Sequence, residues 1–254
     1  MSLYRDRIYP CLVSRLGDPK PIRDLRGRVI PQAGGIVLEV GSGAGANFPY
    51  YDLAQVTKLY ALEPNPGMIA LAAPRRPANL AVEYMELPGE RIPLEDASVD
   101  SVVSTFTLGT ITDVLSALQG MRRVLRPKGR LIFLELGLSP EAAVRRWQKR
   151  WEPAAHRLFE GLHLTLDIPS LLMESGFQIE TLETKYLATF PNRGRFVPGA
   201  WQVFQSTLAR ELDNSEFCCG YKRNSSPVEP SLSLRFNRSR ENESPVACFV
   251  LLRL

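Results

Sequence analysis

The sequence predicts an α/β fold: a mostly parallel, seven-stranded sheet with helices on both faces and an antiparallel last strand. Three observations carry this. Short apolar runs alternate with helical patterns from residue 35 onward, the first run leads straight into a glycine loop, and the composition is that of a packed domain. Over 254 residues, 44% hydrophobic and 23% charged residues exclude fibrous and wholly disordered chains. Lys and Arg number 31 against 27 Asp and Glu, leaving a net charge of +4. A field that small points to neither nucleic acid nor an anionic membrane, so partners have to be argued from a site.

Residues 1–34 form an amphipathic opening, read as a helical lid. Its helix runs from about Leu3 to Leu16 and is broken by Gly17, Pro19 and Pro21. Arg5, Asp6, Arg7, Arg15, Asp18 and Lys20 interrupt any apolar run, so neither a secretion signal nor a membrane span is expected. Ile36–Val40, Leu59–Leu62, Leu80–Tyr84, Ser101–Phe106 and Arg130–Leu136 read as strands flanked by turn residues. Val114, Leu115, Leu118, Met121, Val124 and Leu125 recur at helical spacing, with Asp113 near the start and Pro127 and Gly129 beyond the end. Glu141 to Phe159 is helical in composition, and Pro153 is expected to divide it into two helices. Ile168 to Ser175 is a further helix stopped by Gly176, and Phe177–Leu182 with Tyr186–Phe190 read as the last two strands. Residues 35–212 thus make one domain. Residues 213–254 are serine-rich and read as a loosely ordered tail, with a strand at Ala247–Leu252 as the alternative. Cys11, Cys218, Cys219 and Cys248 have neither disulfide density nor C-x-x-C spacing, so no metal is expected and a cytoplasmic location is.

Chemistry concentrates in Val37-Leu38-Glu39-Val40-Gly41-Ser42-Gly43-Ala44-Gly45, an apolar strand entering a glycine loop, with a helix expected from about Ala46. Glycines let the backbone turn sharply and let a ligand approach it closely. Glu63 ends the next strand, where a carboxylate can accept from both hydroxyls of a ribose. Together these define a Rossmann-like nucleotide-cofactor site. Gly41-x-Gly43-x-x-Ala46 also satisfies the dinucleotide pattern, so a nicotinamide-dependent oxidoreductase is the alternative. Glu39 argues against it: an acid there would repel a pyrophosphate and suits a cofactor carrying an amino group.

Four motifs extend the pattern. Glu39-x-Gly41-x-Gly43-x-Gly45 is followed by Ala61-Leu62-Glu63-Pro64-Asn65-Pro66-Gly67-Met68, by Ile92-Pro93-Leu94-Glu95-Asp96-Ala97-Ser98-Val99-Asp100, and by Val124-Leu125-Arg126-Pro127-Lys128-Gly129. In order and spacing, over roughly residues 35–190, the chain resembles a class I S-adenosylmethionine-dependent methyltransferase of the type 11 group. The resemblance implies that S-adenosyl-L-methionine is the cofactor. Glu39, Gly41, Ser42, Gly43 and Gly45 would hold its methionine end, Glu63 and Pro64 the ribose side, and Asn65 and Met68 would border the adenine. Relatives often carry an Asp-Ala pair where this chain has Pro88 and Gly89, so adenine contact would pass to Gly89 or Glu90. A narrower similarity lies in Trp147-Gln148-Lys149-Arg150-Trp151-Glu152-Pro153 and Leu158-Phe159-Glu160-Gly161-Leu162-His163-Leu164-Thr165, which look like the methyltransferase-like-seven branch of thiol and phospholipid methyltransferases. That branch often has Cys at the position of Leu162 and Arg at that of Leu166.

The reaction so implied is methyl transfer to a small-molecule acceptor: a thiol, an amine, a hydroxyl or a lipid head group. A cofactor-binding but inactive regulatory protein is the other alternative. No catalytic base can be named from sequence. The acceptor-side candidates are Tyr9 in the opening helix, His163 and His156 near the later aromatic motifs, and Thr107 and Glu135 at strand ends, where loops of a parallel sheet meet a ligand. Truncation after Leu212 is expected to leave cofactor affinity unchanged, because the earlier motifs already complete the domain. Calorimetry and a thermal melt check this, and a large loss in either would place the tail inside the domain.

Overall fold

The computed structural model describes residues 4–16, 18–188, 200–210 and 248–250. A π-helical turn, Tyr4–Ile8, runs into α1 (Tyr9–Leu16), as the amphipathic pattern predicts. A second helix, α2 (Lys20–Val29), follows unpredicted: Pro21 lies in its first turn, where a missing N–H costs no bond, rather than acting as a breaker.

The sheet contains β1 (Gly35–Val40), β2 (Val56–Leu62), β3 (Ala81–Met85), β4 (Val99–Thr105), β5 (Leu125–Leu136), β6 (Phe177–Ala188), β7 (Ala200–Arg210) and β8 (Cys248–Val250). Their order is β3-β2-β1-β4-β5-β7-β6-β8. The first five strands are parallel, and β7, β6 and β8 add antiparallel pairings. Strand order reverses between β1 and β4, which opens a crevice at their carboxyl ends, the usual ligand position in such sheets. α3 (Pro66–Ala72), α4 (Val114–Val124), α5 (Ala142–Leu158) and α6 (Ile168–Glu174) complete the helices. Asp113 is the N-cap of α4, its carboxylate accepting from the Ser116 N–H at 3.0 Å.

Alternation along β1 divides the core. Leu38 and Val40 join Val102, Leu118, Met121, Ile168 and Leu172 on one face, while Val37 joins Val29, Ile30, Phe48 and Val103 on the other.

Several expectations are corrected. No α-helix follows the glycine loop; one 3-10 turn, Phe48–Tyr50, stands there, because Pro49 removes a donor and disfavours helical geometry at Phe48. Pro153 does not divide α5, which continues through it with that residue exposed and Val144, Gln148 and Ala155 buried. Tyr186 to Ala188 continue β6 rather than opening a new strand, and Phe190 lies outside the described residues. The antiparallel partner is instead β7, where Trp201, Gln202, Val203, Phe204 and Gln205 offered a mixed pattern easily passed over. The sheet has eight strands among the described residues rather than seven, the eighth being Cys248–Val250 against β6.

Candidate functional site

The glycine loop is held at both ends and open in the middle. Gly41, Gly43 and Gly45 have φ of 70°, 52° and 75°, the left-handed region that glycine enters without strain. A Cβ on Gly41 would lie 2.2 Å from the Thr107 hydroxyl, and one on Gly45 would lie 2.8 Å from the Phe48 ring. A Cβ on Gly43 would meet nothing nearer than 4.0 Å. The N–H groups of Gly41 and Ser42 donate to Leu62 O at 2.8 and 3.1 Å, and Arg75 donates to Ala44 O at 3.0 Å. Gly41 and Gly45 are therefore demanded by packing, and Gly43 borders the open crevice.

Glu39 is 1% exposed and faces α2, not the crevice. Its two oxygens accept from Asn47 Nδ2 and the Tyr51 hydroxyl, each at 2.8 Å. Arg26, itself buried, donates through Nη1 to Asn47 Oδ1 at 2.6 Å and to Thr105 Oγ1 at 2.8 Å, while its Nε donates to Asp18 at 3.1 Å. Burial pushes the Glu39 carboxyl up to about 7 against the pull of Tyr51, Asn47 and the Arg26 charge. Glu39 thereby fixes the segment after the loop through Asn47 and Tyr51. Arg26 went unnoticed in sequence, although it sits with Ile22, Leu25 and Val29 on the buried stripe of α2, where a lone arginine signals a buried partner.

At the tip of β2, Glu63 Oε2 accepts from the Gly43 N–H and Oε1 from the Asn65 N–H, both at 2.9 Å. Both oxygens are thereby fixed beside the glycine loop at the tip of β2. Asn65 caps α3, accepting from the N–H groups of Gly67 and Met68; Met68 is buried beneath it, and Pro64 is exposed. Gly89 packs against Ile111 and Val40 with no room for a side chain, which brings the 88–90 turn to the end of β1. Glu90 accepts from the N–H groups of Thr112 and Asp113 at 3.1 and 3.2 Å, a use not foreseen for it.

The acceptor-side candidates separate. Glu135 is 1% exposed and accepts from Ser104 Oγ and the N–H groups of Thr107 and Leu108, so it holds the turn after β4. The Thr107 hydroxyl lies between Thr105 O and Gly41 O. Tyr9 comes over the site from α1, within electrostatic reach of Glu160 and Glu63, and burial first, then those charges, push its phenol up to about 12. It is a donor, not a base. His163 and His156 stand edge to face, ring centres 5.1 Å apart, with His163 Nδ1 3.1 Å from Glu152 Oε1.

These residues fit S-adenosylmethionine. The space beyond Gly43 is open, Glu63 stands beside it, and Ser42 Oγ is buried without a hydrogen-bond partner among the described residues. Among the described residues no cluster of three or more His, Cys, Asp or Glu side chains is placed to hold a metal ion, and no helix is long and apolar enough to cross a membrane.

Parallel strands, crevice and glycine loop together define a Rossmann-like cofactor-binding enzyme fold. Residues 38–133 match the family model described as a methyltransferase domain. Thiol S-methyltransferase TMT1B of Rattus norvegicus is 33% identical over 134 residues, 51% of this chain and 54% of that protein. Thiol S-methyltransferase TMT1A of Homo sapiens is 34% identical over 149 residues, 56% of this chain and 59% of that protein. The chain thus spans about half the length of the curated relatives it matches. The fold is shared with geranyl diphosphate methyltransferase in complex with S-adenosylmethionine (TM-score 0.60, 12% identity, 80% of this chain and 90% of that one). It is shared too with a possible histamine N-methyltransferase of Thermotoga maritima (TM-score 0.52, 19% identity, 77% and 91% covered). Residues 38–133 thus carry a methyltransferase domain, and the chain has the fold of S-adenosylmethionine-dependent methyltransferases.

Two predictions follow from this geometry. Gly43→Ala is expected to stay folded, with backbone strain of about 1–2 kcal/mol, and to lose more than about tenfold in cofactor affinity by calorimetry; Gly41→Ala is expected to lower the melting temperature instead. For Glu39, a carboxyl whose pKa rises from 4.5 unfolded to about 7 folded contributes stability that is complete below 4.5 and lost as pH rises through 7. Glu39→Gln should therefore flatten the fall in melting temperature between about pH 5 and 8. Glu135, held the same way, leaves a residual slope.

Proposed function

We propose that this protein transfers a methyl group from S-adenosyl-L-methionine to a small-molecule acceptor, and that the acceptor is a thiol. The observation that carries the reading is the open crevice beyond Gly43, with the Glu63 carboxylate at its edge and the unpartnered Ser42 hydroxyl in the loop. Ser42 and the loop would receive the methionine end, Glu63 the ribose, and Met68 with the 88–90 turn the base. The cofactor supplies an electrophilic methyl group on a sulfonium, so the protein's share of the work is alignment and, for a protonated acceptor, removal of one proton.

The thiol is supported by the relatives named thiol S-methyltransferases, 33% and 34% identical over about half the chain. It is also the acceptor class that asks least of the site, since a thiol with a pKa of about 8.5 ionises with modest help. Amines, phenols and lipid head groups are the competing acceptors. An inactive cofactor-binding protein differs from all of these in showing no turnover.

The test is transfer of labelled methyl to small thiols, amines, phenols and phospholipids, alongside calorimetry with S-adenosylmethionine and NAD. Binding of S-adenosylmethionine but not NAD, with label entering thiols, is expected. Glu63→Ala should weaken cofactor binding by about 1.5–3 kcal/mol, the range for hydrogen bonds to a charged group. A loss below about threefold would remove Glu63 from the cofactor contacts.

A further inference from the structure

We propose that His163 is the catalytic base that takes the proton from the acceptor thiol, with Glu152 and Thr165 positioning its ring; this rests on the thiol reading above. Its place in the fold is the first support. The His163 N–H donates to Gly109 O at 2.7 Å, in the turn that leaves the carboxyl end of β4. That turn begins at Thr107, whose hydroxyl lies against Gly41 of the cofactor loop. Glu160, three residues before His163, shares the electrostatic surroundings of Tyr9 with Glu63. The loop after α5, the opening helix and the ribose acid therefore meet around one crevice.

The ring's orientation is the second. Nδ1 faces Glu152 Oε1 at 3.1 Å, and the Thr165 hydroxyl donates to the other oxygen of the same carboxylate. A carboxylate only accepts, so this contact places hydrogen on Nδ1 and leaves a lone pair on Nε2. Two of the other candidates offer no such lone pair: Glu135 is sealed among four donations from its own chain, and the Tyr9 phenol holds its proton. The ionisable groups against the ring are Glu152 and His156 from α5; nearby, Tyr4 of the opening segment donates to Leu158 O at the end of α5.

In the step proposed, the acceptor S–H bond breaks and its proton passes to Nε2. The sulfur lone pair forms the new bond to the methyl carbon as the carbon–sulfonium bond breaks, its electrons going to the departing thioether sulfur. With its side chain 43% exposed, the imidazole returns the proton to solvent.

The experiment uses the full chain loaded with S-adenosylmethionine and two acceptors, an alkanethiol largely protonated at neutral pH and a nitrothiophenol already ionised. His163→Asn keeps a donor for Glu152 and deletes Nε2. It is expected to slow alkanethiol methylation by about 100-fold or more, the size usual for a general base. KM for S-adenosylmethionine should stay unchanged, and nitrothiophenol should be methylated at the parent's rate. Glu152→Gln should show a smaller loss of the same selectivity. Independently of turnover, an alkanethiol bound beside S-adenosylhomocysteine should show an ultraviolet thiolate absorbance band in the parent that His163→Asn loses. Equal losses on both acceptors, or an unchanged band, would overturn the proposal while leaving the thiol reading intact. A parent enzyme that methylates neither thiol would overturn the thiol reading itself.

Discussion

Loops at the carboxyl edge of a parallel sheet turn away from the strands, and their N–H groups cannot be left unpaired once covered. Here glutamates satisfy that constraint repeatedly. Glu63 takes the N–H groups of Gly43 and Asn65, Glu90 those of Thr112 and Asp113, and Glu135 those of Thr107 and Leu108; Glu39 fixes the segment after the glycine loop through Asn47 and Tyr51. Burial raises Glu39 and Glu135 to about 7, so the same contacts that order the edge also load it with costly carboxyls.

The parallel half of this arrangement was legible in the sequence because its signals are local. Apolar runs such as Val37–Val40 stand between turn residues, Asp113 precedes a helical period, and three alternate glycines follow a strand. What stayed hidden depends on partners distant in the chain. Arg26 lies 79 positions from Thr105, and only the fold shows them hydrogen-bonded. Glu135 has the sequence context of an open strand-end acid, yet Ser104 and the turn after β4 close over it. The three glycines look equivalent as letters; Thr107 and Phe48 make two of them packing requirements and leave Gly43 alone facing space.

The opening segment, read as a lid, does two different jobs. Its second helix, α2, belongs to the core: Ile22 and Leu25 pack on Leu134, and Arg26 reaches the polar cluster behind the glycine loop with its guanidinium over the Phe106 ring. Its first helix, α1, together with the preceding turn, packs on α3 and reaches the end of α5 through Tyr4, with Ile8 and Leu12 exposed. α2, in contrast, is tied into the polar cluster behind the glycine loop through Arg26.

That division extends to the whole site. The family model ends at residue 133, so it spans the glycine loop, Glu63 and the turn after β4, but neither α1 nor the segment from α5 to α6. Glu152, His163, Thr165 and Tyr9 all lie outside it, on elements that share no sequence motif with the cofactor half. They converge because the turn after β4 binds both sides: Thr107 touches Gly41, and two residues later Gly109 O accepts from His163. Cofactor recognition can then stay constant while the covering elements change, which is how one fold serves many acceptors. The contact at Gly109 is the narrow point of this coupling, since a Cβ there would lie 2.7 Å from Leu162 and 2.9 Å from the His163 carbonyl and push the loop carrying His163 off the turn after β4.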